Sequence, residues 1–402
     1  MKWFKNTSYA VIDALDKIFN RNFQADKVVK KLLKSNKKWG SRDRKMISKA
    51  LYDIIRWRRK YEYLTDSSIL DMEGKWRILA LWSLLNNIPF PDWFEVNIEE
   101  LKKRINGKEA LSFTVDQSIP DWLYQLGIKD MGKEEFEKEI KALNEEAQTV
   151  IRVNLLKTTK EKLKNKLDEK GIKTNEDPEY PEALFIEGKP KLTHLKCYKN
   201  GEFEIQDASS QKVADFIRPQ SGQTIIDACA GAGGKTLHMA SKMKNKGEII
   251  ALDIYPQKLK ELRKRVERNG VKILKDTSLI NQKTMNKYKE YADILLLDVP
   301  CSSLGTLKRK PGLKWELNEN KIKQINSIQM DILKNYPQML KPGGHLIYVT
   351  CSILPMENKR QIKKFLKQNK NFTFVEDKTI KTSESGYDGF YMAKLKKNKS
   401  PI

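Results

Sequence analysis

From about residue 201 the sequence alternates short apolar runs with amphipathic stretches, and this alternation restricts the fold more than any other feature. The runs are TIIDA (224–228), EIIAL (248–252), VKIL (271–274), DILLLDV (293–299) and HLIYVTC (345–351). Near-continuous apolar strands need cover on both faces, which a parallel sheet flanked by helices provides. Between the runs, Leu259, Leu262 and Val266 share one helical face, with Asn269-Gly270 as a stop signal. Ile325, Ile328 and Ile332 are expected to line a second helix. Residues 201–402 therefore read as an α/β domain of Rossmann-like type.

Upstream the texture differs. Residues 1–140 read as helices, with Val11, Leu15 and Ile18 on one face and Ile47, Leu51, Ile54 and Ile55 on another. Residues 141–200 form a small α/β unit: TVIRVNLL and ALFIEG read as strands, Thr158-Thr159-Lys160-Glu161 as a capping box, and Gly171 as the helix stop. The tail KLKKNKSPI is expected to be loose.

The formal net charge is +25, an excess that points to a polyanionic partner, most simply a nucleic acid. Residues 31–60 hold twelve Lys or Arg against two Asp, interleaved with Trp39, Tyr52 and Trp57. Such a surface suits phosphate contacts and base stacking, with Arg42 and Arg44 as candidate phosphate ligands, although core tryptophans beneath a solvated face fit the same pattern. The four cysteines form no Cys-x-x-Cys pair and the histidines number three, which matches neither a zinc site nor a secreted disulfide framework. The longest apolar stretch, Ile78–Leu85, is too short to cross a bilayer, and the N-terminus lacks a signal-peptide core. A monomeric cytoplasmic protein without a metal is expected.

In an open α/β sheet, ligands bind beyond the carboxyl ends of the strands. There the first run delivers Cys229-Ala230-Gly231-Ala232-Gly233-Gly234-Lys235-Thr236, the second Asp253, the third Asp276, the fourth Asp298 and Cys301, and the fifth Cys351. The glycine loop is not a P-loop, because Cys229 occupies the first required glycine. Nor is it a dinucleotide fingerprint, because Thr236 occupies the last. A tight glycine turn followed about 20 residues later by an acid still suits a nucleoside ligand such as S-adenosylmethionine, with Asp253 on the ribose hydroxyls.

The thiols at neighbouring strand exits suggest nucleophilic catalysis. Cytosine C5 is a poor nucleophile, but a thiolate added to C6 makes C5 enamine-like and able to attack a methyl sulfonium. A second thiol can act as the base that removes the C5 proton. Asp298, if protonated, could donate to the N3 side of the ring. Cys197 and Cys229 read as small buried hydrophobes where their thiols are concerned. The residues alone do not decide which of Cys301 and Cys351 attacks.

These stretches resemble the Sun-domain (Fmu) RNA 5-methylcytosine methyltransferases, close to the bacterial small-subunit ribosomal RNA enzymes. The likeness is carried by GEFEIQDASSQ, DACAGAGGKT, DVPCSSLGT, KPGLKW, LKPGGHLIYVTCSILPMEN and GYDGFYMAKL. It implies a class I methyltransferase domain behind a small RRM-like subdomain and an all-helical NusB-like domain, the last through WGSRDRKMISKALYDIIRWRR. It implies Cys351 as nucleophile, Cys301 as the residue assisting release and Asp298 on the target base. Asp253 would hold the ribose and Asp276 lie near the adenine. Residues 229–235 would line the cofactor, and Pro300 and Lys314 lie on the substrate side. Ribosomal RNA is the implied partner.

Three departures stand out. The loop lacks the family's usual proline, which predicts a floppier cofactor site. Ser303 replaces a usual glycine, and Gly312 a usual aspartate. Alternative readings are a DNA cytosine-C5 methyltransferase with Cys301 as nucleophile, a transfer-RNA enzyme, or a non-catalytic RNA-binding assembly factor.

Overall fold

The computed structural model describes residues 2–89, 91, 93–106 and 110–399. The chain divides into two compact units. The first comprises residues 1–144 and 307–319, the second residues 145–306 and 320–402.

Among the described residues the first unit is entirely helical, beginning with Lys5–Phe19, Ala25–Ser35 and Ser41–Arg56. Its core gathers the predicted stripes, Val11, Leu15, Ile47, Leu51, Ile54 and Ile55, around Trp82. Two buried indole nitrogens are satisfied, Trp3 donating to Ser83 Oγ at 2.8 Å and Trp82 to Asp53 Oδ2 at 2.9 Å, while that of Trp39 is buried without a hydrogen-bond partner. This unit extends past the expected boundary at residue 140, because the helix Lys133–Leu143 continues its packing pattern. It also recruits a distant piece of chain. Trp315 packs on the helical core and donates to the Ile55 carbonyl at 2.7 Å. Glu316 caps the Ala25 amide at 3.0 Å, and Arg56 donates to the carbonyls of Leu307 and Lys308. Local periodicity cannot reveal such a remote excursion.

The second unit contains two sheets. The smaller is antiparallel, in the order β2-β3-β1-β4, from β1 (Thr149–Val153), β2 (Thr174–Asn175), β3 (Ala183–Ile186) and β4 (Phe203–Ile205). Its helix Lys160–Asp168 is capped by Thr159, whose side chain accepts from the Lys162 amide.

The larger sheet has seven strands: β5 (Thr224–Asp227), β6 (Glu248–Asp253), β7 (Leu274–Leu279), β8 (Ala292–Asp298), β9 (Leu340–Thr350), β10 (Phe372–Ile380) and β11 (Phe390–Lys397). Their order is β10-β11-β9-β8-β5-β6-β7, with β5 to β9 mutually parallel and β10 and β11 antiparallel. Strand order reverses at β5, which lies between β6 and β8. That reversal is where such sheets open a crevice for ligands.

The differences from expectation concentrate at the sheet edges. VKIL is not the third strand; β7 begins at Leu274 and continues through polar residues, with a register shift at Lys275. β10, largely exposed, gave no apolar signal. Edge strands are covered less, so their sequences carry weaker hydrophobic runs. The helix Glu319–Asn335 buries Ile322, Met330, Ile332 and Leu333 and leaves Ile328 47% exposed, so Ile328 does not belong to the expected face. Of the tail, Lys394–Lys397 belong to β11; residues 400–402 lie outside the described residues.

Candidate active site

The parallel register of β8 and β9 pairs Asp298 with Val349, so these neighbouring strands deliver their exits side by side. Cys301 Sγ and Cys351 Sγ thereby come to 3.4 Å, both half-buried and both free thiols. Ser303 Oγ lies 3.4 Å from Cys351 Sγ and 3.8 Å from Cys301 Sγ. The two sulfurs titrate in opposite directions. The hydrogen bond from the Cys301 thiol pulls Cys351 below the ordinary cysteine value, against burial and with help from Ser303. The same contact, with burial, pushes Cys301 well above it. Cys351 is thus the readier thiolate and Cys301 the proton holder.

One buried acid organises both cysteine turns. Glu357 is 0% exposed. Its Oε2 accepts from the Ser302 amide at 2.8 Å and from Gln329 Nε2 at 3.0 Å, and its Oε1 from the Ser352 hydroxyl at 2.6 Å. Ser302 Oγ donates to Ser352 Oγ at 3.0 Å, so the residue after each cysteine is tied to the other. Gln329 also donates to the Pro300 carbonyl at 3.1 Å. Gly305 completes the frame by donating to the Cys351 carbonyl at 2.9 Å; a Cβ there would meet the Gly389 carbonyl at 2.2 Å. Sequence reasoning assigned none of these supporting roles, although the serine following each cysteine is a readable signal.

Across the crevice, Lys235 Nζ donates to Asp298 Oδ2 at 2.6 Å. Burial works against the lysine's charge, but Asp298 outweighs it and its pKa rises. Asp298 is thus the acceptor of the Lys235 ammonium in this site. Asp227, at the end of β5, is 1% exposed. Burial pushes its carboxyl up to about 7, although the Thr236 hydroxyl donates to Oδ2 at 2.7 Å. Its Oδ1 is buried without a hydrogen-bond partner.

The glycine loop is held from outside by charged groups on its backbone. Asp253 Oδ2 accepts from the Gly231 amide at 2.8 Å, and Arg265 donates to the Ala232 carbonyl at 2.7 Å. Arg152, on β1, donates to the Gly234 carbonyl at 2.8 Å and to Gln206. These ties hold the loop backbone at three points where the family's usual proline is missing. Gly233, at φ +87, would drive a Cβ to 2.7 Å from Leu262 Cγ. Gly231, at φ +55, faces open space. The uncovered backbone at Gly231, tied to the Asp253 carboxylate, fits an adenosyl ligand with ribose hydroxyls. Within this loop, burial pushes the Cys229 thiol well above its ordinary value, which suits a structural thiol. Ala230 donates its amide to the Leu252 carbonyl at 2.9 Å.

Other expected site residues lie elsewhere. Asp276 is not at a strand exit: it pairs with Ile250, while Asp253 pairs with Leu279. Burial opposes its ionisation, but Tyr288, Lys287 and Ser278 outweigh this and bring it to about 2. Lys314, expected on the substrate side, is buried. It is 1% exposed in the helical unit, its ammonium 3.2 Å from Asn144 Oδ1, and burial beside Arg56 lowers its pKa well below the usual value. Arg44 spends its guanidinium on the carbonyls of Trp39 and Asn36. Arg42 and Pro300 are exposed. Trp39 is 7% exposed and belongs to the core rather than to a stacking surface. Among the described residues no group of three or more His, Cys, Asp or Glu could hold a metal ion, and no helix is long and apolar enough to cross a membrane.

Known proteins resemble this chain over most of its length. Residues 214–396 match the family 16S rRNA methyltransferase RsmB/F, and residues 119–193 match the ferredoxin-like domain of RsmF/B-like methyltransferases. A probable ribosomal RNA small subunit methyltransferase B of Synechocystis is 34% identical over 317 residues, 74% of this chain and 71% of that protein. The ribosomal RNA small subunit methyltransferase B of Salmonella paratyphi A is 32% identical over 69% of this chain and 66% of its own length. The solved structure of PH0851 superposes with a TM-score of 0.81 at 24% identity, over 98% of this chain and 99% of that one, which supports the fold. With the cysteine turns, the ion pair and the glycine cradle at one strand-order reversal, the chain belongs to the RsmB/F family and is an S-adenosylmethionine-dependent methyltransferase.

Proposed function

We propose that this protein methylates C5 of a cytosine in RNA, small-subunit ribosomal RNA by the measure of its relatives, through a covalent adduct on Cys351. The observation that carries the reading is the 3.4 Å approach of two sulfurs with opposite proton affinities beside the Lys235–Asp298 pair. Cys351 adds as thiolate to C6; the S–C6 bond forms and the C5=C6 electrons move to C5. Bound S-adenosylmethionine supplies the electrophilic methyl group. Cys301, having shed its proton, removes the C5 hydrogen. The C–H electrons rebuild C5=C6, and Cys351 leaves as thiolate. Asp298, as an acceptor, suits the exocyclic amino group of the base. Gly231–Gly234 and Asp253 would hold the cofactor, with Asp276 behind the adenine side rather than at the strand exit.

RNA attraction fits the +25 charge and the exposed Lys27, Lys30, Lys31, Lys34, Lys37 and Arg42 of the helical unit. The same reading makes the protein a cytoplasmic monomer. Transfer of labelled methyl groups to RNA and to DNA tests it, together with two variants. Cys351→Ser should abolish turnover, and Cys301→Ser should trap RNA as a denaturation-resistant adduct. Normal turnover by both variants would remove the two-thiol mechanism; labelling of DNA alone would remove the RNA substrate.

A further inference from the structure

Ser303 is a feature of the cysteine site that the reaction above does not use. Its backbone has φ +58, a left-handed conformation in which a side chain carries a steric cost that glycine does not. The turn nevertheless holds it firmly: the Thr306 amide and hydroxyl both donate to the Ser303 carbonyl, at 2.9 and 2.8 Å, and Glu357 anchors the adjoining Ser302 amide. The result is a hydroxyl within reach of both sulfurs, 3.4 Å from Cys351 and 3.8 Å from Cys301.

We propose that Ser303 is a positioning residue whose single hydroxyl serves the two sulfurs in turn, donating to whichever one is the thiolate. This rests on the cysteine-adduct reading. With Cys351 as a thiol, its S–H donates to Ser303 Oγ at 3.4 Å. When Cys351 ionises it can only accept: Cys301 supplies one hydrogen bond and the Ser303 O–H turns to supply another. Once Cys351 Sγ is bonded to C6 it carries no charge and is a poor acceptor. The hydroxyl is then released to Cys301, which must lose its own proton to act as base. When C5 gives up its hydrogen to Cys301 and the S–C6 bond breaks, the charge returns to Cys351 and the hydroxyl returns with it. Rotation about one side-chain bond is the only movement required. Protons balance: one is lost per cycle, from the Cys301 thiol to solvent, and the hydrogen that C5 exchanges for a methyl group replaces it on that thiol.

The test follows the pH dependence of Cys351 alkylation by iodoacetamide, read at that residue by mass spectrometry, in the full-length protein and two variants. Ser303→Gly removes the hydroxyl and the backbone cost together; Ser303→Ala removes the hydroxyl and keeps the cost. Both should move the alkylation midpoint upward, slowing the reaction near neutral pH by roughly tenfold if the shift is about one unit. During turnover both should accumulate the RNA adduct. A Gly variant whose profile overlays the unaltered protein, or a shift confined to the Ala variant, would overturn the proposal. Alkylation needs neither methyl donor nor RNA. An upward shift in a protein that transfers no methyl group keeps Ser303 on Cys351 and removes the reaction above. An unshifted profile in a protein that does methylate removes Ser303 alone.

Discussion

Two buried carboxyls stand behind the two halves of the site, and they are built on different plans. Glu357, behind the cysteine turns, accepts from an amide, a carboxamide and a hydroxyl, so both of its oxygens are used. Asp227, behind the glycine loop, accepts from Thr236 on one oxygen while the other has no hydrogen-bond partner, and burial pushes it up to about 7. The cysteine half is organised from its centre, through side chains converging on one acid. The glycine half is clamped at its perimeter by Asp253, Arg265 and Arg152, which grip backbone groups. A reacting sulfur tolerates little displacement, and a central anchor fixes two turns at once. A cofactor loop needs its amides and carbonyls held while its inner surface stays open to ligand.

The sharpest way to break this contrast is Glu357→Ala. It strands the Ser302 amide and the Ser352 and Gln329 donors in the interior, at a cost of about 3 kcal/mol in stability. The turnover number should fall on the order of a hundredfold while S-adenosylmethionine affinity stays within about twofold. Thermal melts, kinetics and calorimetric titration check the three parts. A loss of affinity equal to the loss of rate would mean that the halves are not separately supported.

Arg265→Met probes the perimeter. It frees the Ala232 carbonyl and also takes the partner of the buried Glu204 Oε2, while Arg268 and Asn269 remain on Glu204 Oε1. The S-adenosylmethionine dissociation constant should rise about tenfold, and the rate of Cys351 alkylation should not change. An alkylation defect would show that the clamp reaches the sulfurs.

The smallest effect is a pH signature of Asp227. Its folded value, about 7, lies above the reference 3.8, so the native state holds the proton more tightly than the unfolded chain does. The stability it contributes is whole below about pH 4 and is lost as the pH rises towards 7. Asp227→Asn keeps an acceptor for Thr236 and cannot ionise. Its melting temperature should match the unaltered protein's in acid and exceed it progressively above about pH 5. A constant difference across that range would place the proton elsewhere.

Much of this was legible in the sequence where chemistry and covalent spacing coincide. The apolar runs located four of the five parallel strands, and the acids and cysteines at their ends marked the crevice. The helical stripes through Val11–Ile18 and Ile47–Ile55 were legible because they are local. What the sequence hid was of two kinds. Edge strands β7 and β10 lack a buried face, so nothing in the apolar pattern distinguishes Asp276, which lies inside the ladder, from a strand terminus. Lys314 and Arg44 carry charge that looks available, yet their partners, Asn144 and backbone carbonyls, depend on folding that no nearby residue announces. The roles of Glu357, Gln329, Arg152 and Arg265 escaped for the same reason. Each supports a group far along the chain.

The helical unit also has a history written into its chain order. A ribosome makes residues 1–144 first, but the segment that completes the unit, 307–319, emerges only after residues 145–306 have been synthesised. At ordinary translation speeds that interval is roughly ten to thirty seconds. Throughout it the Ile55 carbonyl and Ala25 amide wait for Trp315 and Glu316. The helical unit is thus finished only after residues 145–306 have been made, and its maturation is timed by a segment that carries the chemistry.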